Sequence, residues 1–162
     1  MEWTRRDLLK ALLALGMGVV APGLASCKPS SGGEVKPPPI RYGRSVCATC
    51  GMIINEAKYS AGAVLAEGTG LVFDDIGCMV LYFRAHPEAK PLAFFVHDYP
   101  TEAWIRAESA FYVVSPRILS PMGYGIAAFA QRSQAEGFAQ EKQGQVLDFA
   151  QVRVLSLSQA QP

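Results

Sequence analysis

The chain has 162 residues, half of them hydrophobic, and a formal net charge of +1. Removing the first 26 as a leader takes away Arg5, Arg6 and Lys10 together with Glu2 and Asp7, which leaves 12 basic and 12 acidic residues. That balance, with no basic patch, excludes a nucleic-acid partner, because phosphates are bound by a surplus of Lys and Arg, while the remaining 136 residues suffice for one domain with a real core.

The N-terminus has the three parts of a secretory signal over residues 1–26. Arg5 and Arg6 supply positive charge, Leu8 to Val20 is apolar apart from Lys10, and Leu24-Ala25-Ser26-Cys27 closes the segment. Thr4-Arg5-Arg6-Asp7-Leu8-Leu9-Lys10 resembles a twin-arginine export signal. The closing tetrad resembles the bacterial lipobox, which implies that Cys27 is acylated and becomes the mature N-terminus. Acyl chains at that position give durable membrane attachment at ~0.8 kcal/mol per buried methylene, so an extracytoplasmic, membrane-anchored lipoprotein is expected. No other run of about 18 apolar residues predicts a membrane span.

Residues 27–45 read as a lipid-anchored tether, Ser/Gly-rich at first and then carrying Pro37-Pro38-Pro39, able to reach roughly 60 Å when drawn out. Residues 46–155 read as an α+β domain, with 156–162 as a tail. Weak alternation predicts strands at 60–66 and 71–73, joined by a turn at Glu67-Gly68-Thr69-Gly70. Ile76, Met79, Val80 and Phe83 have the spacing of a buried helix face, with Asp74 or Asp75 as N-cap and Pro87 as stop. Leu92 to Val96 is a short apolar strand. A second set follows: strands at 110–115 and about 125–129, a helix at about 131–142 ending near Gly144, and a strand at 145–149. Both halves read strand, strand, helix, strand, with Phe73 and Phe129 closing the second strand of each. The fold expected is α+β, two similar ββαβ lobes forming one small domain.

With Cys27 lipidated, Cys47, Cys50 and Cys78 remain, an odd number for an oxidising compartment, where exported domains pair their thiols. Cys47-Ala48-Thr49-Cys50-Gly51-Met52 places two thiols where they can converge on one ion, and Gly51 lets the backbone turn tightly before a thioether. Cys78 and Met79 lie near the start of the predicted helix, whose positive end favours thiolate. Met122 sits in the glycine-rich turn Pro121-Met122-Gly123-Tyr124-Gly125. Thiolate with thioether is a soft donor set that suits Cu(I) better than Zn(II), Mg(II) or Ca(II). The blander alternatives are a Cys47–Cys50 disulfide or redox pair, core packing for Cys78 and Met79, and a loop role for Met122. His86 and His97, at the ends of a helix and a strand, are read as structural.

The lipobox, Cys50-Gly51-Met52, Phe73-Asp74-Asp75-Ile76-Gly77-Cys78-Met79, Ala110 to Val114, Pro121-Met122-Gly123 and the closing Gly144 to Phe149 together resemble the NosL family. The resemblance covers about Cys47 to Val154. It implies two ββαβ units and a non-enzymatic Cu(I) metallochaperone, lipid-anchored on the periplasmic side. It implies as partner apo nitrous-oxide reductase or its assembly machinery, whose copper–sulfide centre it would help to build. Cys50 and Met52 match the family's Cys-Gly-Met. Cys47 and Cys78 depart from its single-cysteine pattern, and Cys78, Met79 and Met122 are candidate ligands by recurrence of position. Two competing functions are a thiol–disulfide reductase using Cys47 and Cys50, and a zinc-stabilised module using the three cysteines and one histidine.

Overall fold

The computed structural model describes residues 34–157. β1 (Ala61–Leu65) and β2 (Gly70–Phe73) form an antiparallel hairpin whose turn places Gly68 at φ +90°, a conformation a side chain would oppose. α1 (Ile76–Ala85) follows, β3 (Pro91–His97) returns to pair with β1, and β4 (Trp104–Arg106) pairs with β3. The second lobe contains β5 (Phe111–Val114), β6 (Ile126–Phe129), α2 (Arg132–Lys142) and β7 (Gln145–Leu147), and α3 (Phe149–Val154) closes the chain of elements. The sheets run β2-β1-β3-β4 and β6-β5-β7. In both lobes the first strand is central, the second flanks it on one side, and the strand after the helix flanks it on the other. The expected pair of ββαβ lobes is therefore present.

Local chemistry explains the boundaries. Asp75 caps α1 by accepting the Gly77 N–H at 2.8 Å, and its Ile76, Met79 and Val80 stripe is buried. α2 ends on Gln143 in the left-handed region at φ +51°, with Gly144 N–H returning to the Ala139 carbonyl at 2.8 Å. In the second sheet, alternate residues of β5 and β6 face two cores. Tyr112, Ile126 and Ala128 join the main core with Phe73, Phe94, Val96, Phe149 and Val152, while Val113, Ala127 and Phe129 pack on Ala135 and Ala139 of α2. The sheets meet where Tyr99 N–H donates to the Ala128 carbonyl and Ala130 N–H donates to Asp98, both at 2.8 Å.

Three features differ from the sequence reading. β4 makes the first sheet four-stranded, pairing Arg106, Ile105 and Trp104 with Phe95, Val96 and His97. The strand expected at 145–149 stops at Leu147, because Asp148 and Gln151 form a capping box that opens α3. The stretch expected to be tether is docked well before Val46: Pro38 is buried against the outer face of the first sheet. A Cβ on Gly62 would lie 2.6 Å from Pro38 Cγ, and one on Gly70 would lie 2.9 Å from Pro38 Cβ, so the two glycines form a seat for the ring. Residues 27–33, like the signal and Cys27, lie outside the described residues.

Candidate metal centre

Cys47 and Cys50 are carried by a short hairpin over residues 43–54. Its arms are tied by Gly43 N–H to Ile54 O, Ile54 N–H to Ser45 O, Cys47 N–H to Met52 O, and a Val46–Ile53 bridge. At the tip Gly51 stands at φ +74° and its N–H returns to the Cys47 carbonyl at 3.1 Å. Only glycine takes that conformation at no steric cost, so the chain folds back and presents both thiols on one side. Two bonds lay the hairpin on the first lobe: Ala48 N–H to Val72 O at 2.9 Å, and Thr49 Oγ1–H to the Cys78 carbonyl at 2.8 Å.

Cys78 stands in the first turn of α1, fully buried. The Sγ atoms of Cys47, Cys50 and Cys78 all lie within 4.8 Å of one another. Sulfurs bound to one ion at about 2.3 Å stand up to about 4.6 Å apart, so this spacing is one a single soft metal can bridge with minor side-chain adjustment. All three are free thiols. Cys47 is 2% exposed and Cys50 half-buried, so the cluster opens to solvent on the Cys50 side.

The three thiols share protons unequally. A hydrogen bond from Cys78 pulls Cys47 down to about 4 against the opposing effect of burial, helped by N–H donors of Cys50, Asp74 and Thr49. Cys78 is pushed up by donating to Cys47, by burial and by neighbouring negative charge. Burial raises Cys50, and burial with the Cys47 charge raises Asp74. The position of Cys78 at a helix terminus predicts thiolate there; instead the thiolate is Cys47, because three backbone N–H groups and a thiol converge on it.

The methionines are placed differently. Met52 follows Gly51 and is 57% exposed. Met122 is half-buried against the main core, which includes Cys47 and Cys78, and its N–H donates to Asp75 Oδ2 at 3.2 Å. Met79 shares the main core with Cys47 and Cys78. It is 1% exposed and lines a cavity of about 50 Å³ with Val80, Phe83, Phe94 and Phe149 that none of the cysteines lines. The helical step separates the two side chains: Cys78 joins the hairpin thiols and Met79 lines that cavity.

Neither histidine joins the cysteines among the described residues. His97 is held by the Glu102 carbonyl at 2.7 Å and the Tyr42 hydroxyl at 3.0 Å, and His86 by Glu88 at 3.1 Å. Sequence reasoning missed Thr49 and the link from Asp75 to Met122. Asp75 was legible as a cap, but a threonine between two cysteines carries no pattern that points to a helix carbonyl.

The NosL family model matches residues 41–156 of the chain. The copper-binding lipoprotein NosL of Stutzerimonas stutzeri is 28% identical over 168 residues, spanning 94% of this chain and 88% of the relative. The crystal structure of the copper chaperone NosL from Shewanella denitrificans shares the fold, with a TM-score of 0.58 at 22% identity over 76% of this chain and 100% of that one.

Proposed function

The chain belongs to the NosL family, and on that premise we propose that it is an extracytoplasmic Cu(I) metallochaperone that holds its cargo at Cys47, Cys50 and Cys78. The observation that carries this reading is the convergence of three sulfurs within 4.8 Å on a cluster open at one edge. Thiolate sulfur selects soft monovalent copper; Met52, two residues beyond Cys50 in the same hairpin, and Met122, on the loop whose backbone bonds Asp75, are the further soft donors assigned to it. A relative named as a copper-binding lipoprotein and a fold neighbour named as a copper chaperone support the same assignment. Met79 is left to the core.

The two competing chemistries are less well served. A zinc module of the expected kind needs a nitrogen ligand, and both histidines are engaged elsewhere. A dithiol reductase needs an exposed low-pKa thiol to attack its partner's disulfide. Here the activated thiol, Cys47, is buried, and the accessible one, Cys50, is raised.

Delivery goes to apo nitrous-oxide reductase or its assembly machinery, a proposal supported by the family resemblance. The chain is lipidated at Cys27, as the lipobox and the lipoprotein relative suggest. No helix among the described residues is long and apolar enough to cross a membrane. The partly exposed Cys50, with Met52 beside it, is the face from which an acceptor's ligands would take the ion. The decisive experiment replaces Cys50 with Ser and measures Cu(I) binding anaerobically against a competing chelator. Binding should weaken by orders of magnitude. Unchanged affinity and stoichiometry would remove the reading.

A further inference from the structure

The second lobe reaches the first turn of α1, the turn that carries Cys78, through the loop joining β5 to β6. Asp75, fully buried, divides its carboxylate between the two lobes. Oδ1 accepts the Gly77 N–H of its own helix at 2.8 Å, and Oδ2 accepts the Met122 N–H, 47 residues away, at 3.2 Å. The Ser120 side chain adds a third hydrogen bond. Ser120 in turn accepts the Gly125 N–H at 3.0 Å and, through its carbonyl, the Gly123 N–H at 2.9 Å, which stiffens the loop. Beside it the Tyr124 ring lies directly on the bare backbone of Gly77, where a Cβ would stand 2.3 Å from ring carbons.

A helix cap requires only one acceptor, which Ser, Thr or Asn supplies without a buried acidic group. Burying a carboxyl costs desolvation free energy that only its hydrogen bonds offset. The cap does not account for the second oxygen, and Met122 is the soft donor on the segment it grips. We propose that Asp75 is a positioning residue for the metal site: it pins the Met122 loop to the first turn of α1, so that the thioether from the second lobe closes over the cysteine cluster of the first. This rests on the Cu(I) reading of the cysteines.

The test measures Cu(I) affinity of the full chain in detergent, anaerobically, for wild type, Asp75→Asn, Met122→Leu and the double variant. Asn retains one acceptor, enough for the cap, and sets an NH2 group against the other partner. Asp75→Asn should weaken Cu(I) about five- to tenfold in the wild-type background, the size of one lost hydrogen bond, and barely at all in the Met122→Leu background. Equal weakening in both backgrounds, which a merely structural role would give, overturns the proposal, as does no weakening. A second readout does not depend on the variant folding: in wild type the Met122 methyl carbon signal should shift on Cu(I) addition, and an unmoved signal also overturns it. Should wild type bind no Cu(I), the chaperone reading itself fails. Binding lost at Cys50→Ser but untouched at Asp75→Asn refutes the positioning role alone.

Discussion

Thr49→Val tests how the hairpin and α1 are held in register. The substitution is nearly isosteric and removes the hydroxyl that donates to the Cys78 carbonyl at 2.8 Å. That carbonyl sits inside a helix and has a second lone pair for its helical partner, so no buried acceptor is stranded. The loss is then the net value of one hydrogen bond, about 1 kcal/mol. If that bond sets the separation of Cys47 and Cys50 from Cys78, the ion must restore the alignment on binding, and Cu(I) affinity falls by about fivefold. Urea unfolding of the apo protein and chelator competition read the two effects on the same sample. Stability lowered by that amount with affinity unchanged would break the link between this bond and the thiol spacing. It would show that the Ala48–Val72 bond and the buried Cys47 suffice to place the hairpin.

Further outcomes follow from other contacts. Gly62→Ala sets a methyl group 2.6 Å from Pro38 Cγ, a rigid ring, and should cost about 1–2 kcal/mol by urea unfolding. In a Pro38→Gly background the cost should vanish, and its persistence would locate the clash elsewhere. Reduced apo protein should carry one thiolate across neutral pH, read by ultraviolet absorbance and abolished by Cys47→Ser. Because Cys47 is depressed from an ordinary value near 8.5 to about 4, its stabilising contribution is complete above about 8.5 and is lost as pH falls through about 4. A thiolate signal that first appears near pH 8 would contradict this. Met52→Leu, at an exposed position, should leave the unfolding midpoint unchanged while weakening Cu(I) binding several-fold. Unchanged affinity would take Met52 out of the donor set.

The lobes were legible because their signals are periodic and local. The Ile76-Met79-Val80-Phe83 stripe, the Asp75 cap and the paired apolar runs all act over a few residues. β4 carried no such signal, since three residues cannot display an alternation and its place comes from pairing with β3. α3 had one, the Asp148-Gln151 box, hidden because Val146, Leu147 and Phe149 read as one strand across Asp148. At the centre, the thiols were legible by type and their number pointed to a metal. Their convergence was not, since Cys78 meets the hairpin through tertiary contacts, the Thr49 bond to its carbonyl and its own thiol bond to Cys47. The same limit separated Met79 from Met122: both are a methionine near a glycine in sequence, and only packing sends one to the core and binds the other to Asp75.

The seating of Pro38 sets a leash length. If Cys27 bears lipid, 11 residue steps separate it from the gripped Pro38, a span of at most about 40 Å. The docked proline thus trims the tether by more than a third and fixes its exit at the outer face of the first sheet. A body held so near a bilayer searches a thin layer rather than a volume. Its encounters with an acceptor at the same surface are governed by effective concentration, which rises as the leash shortens so long as the span can still be reached.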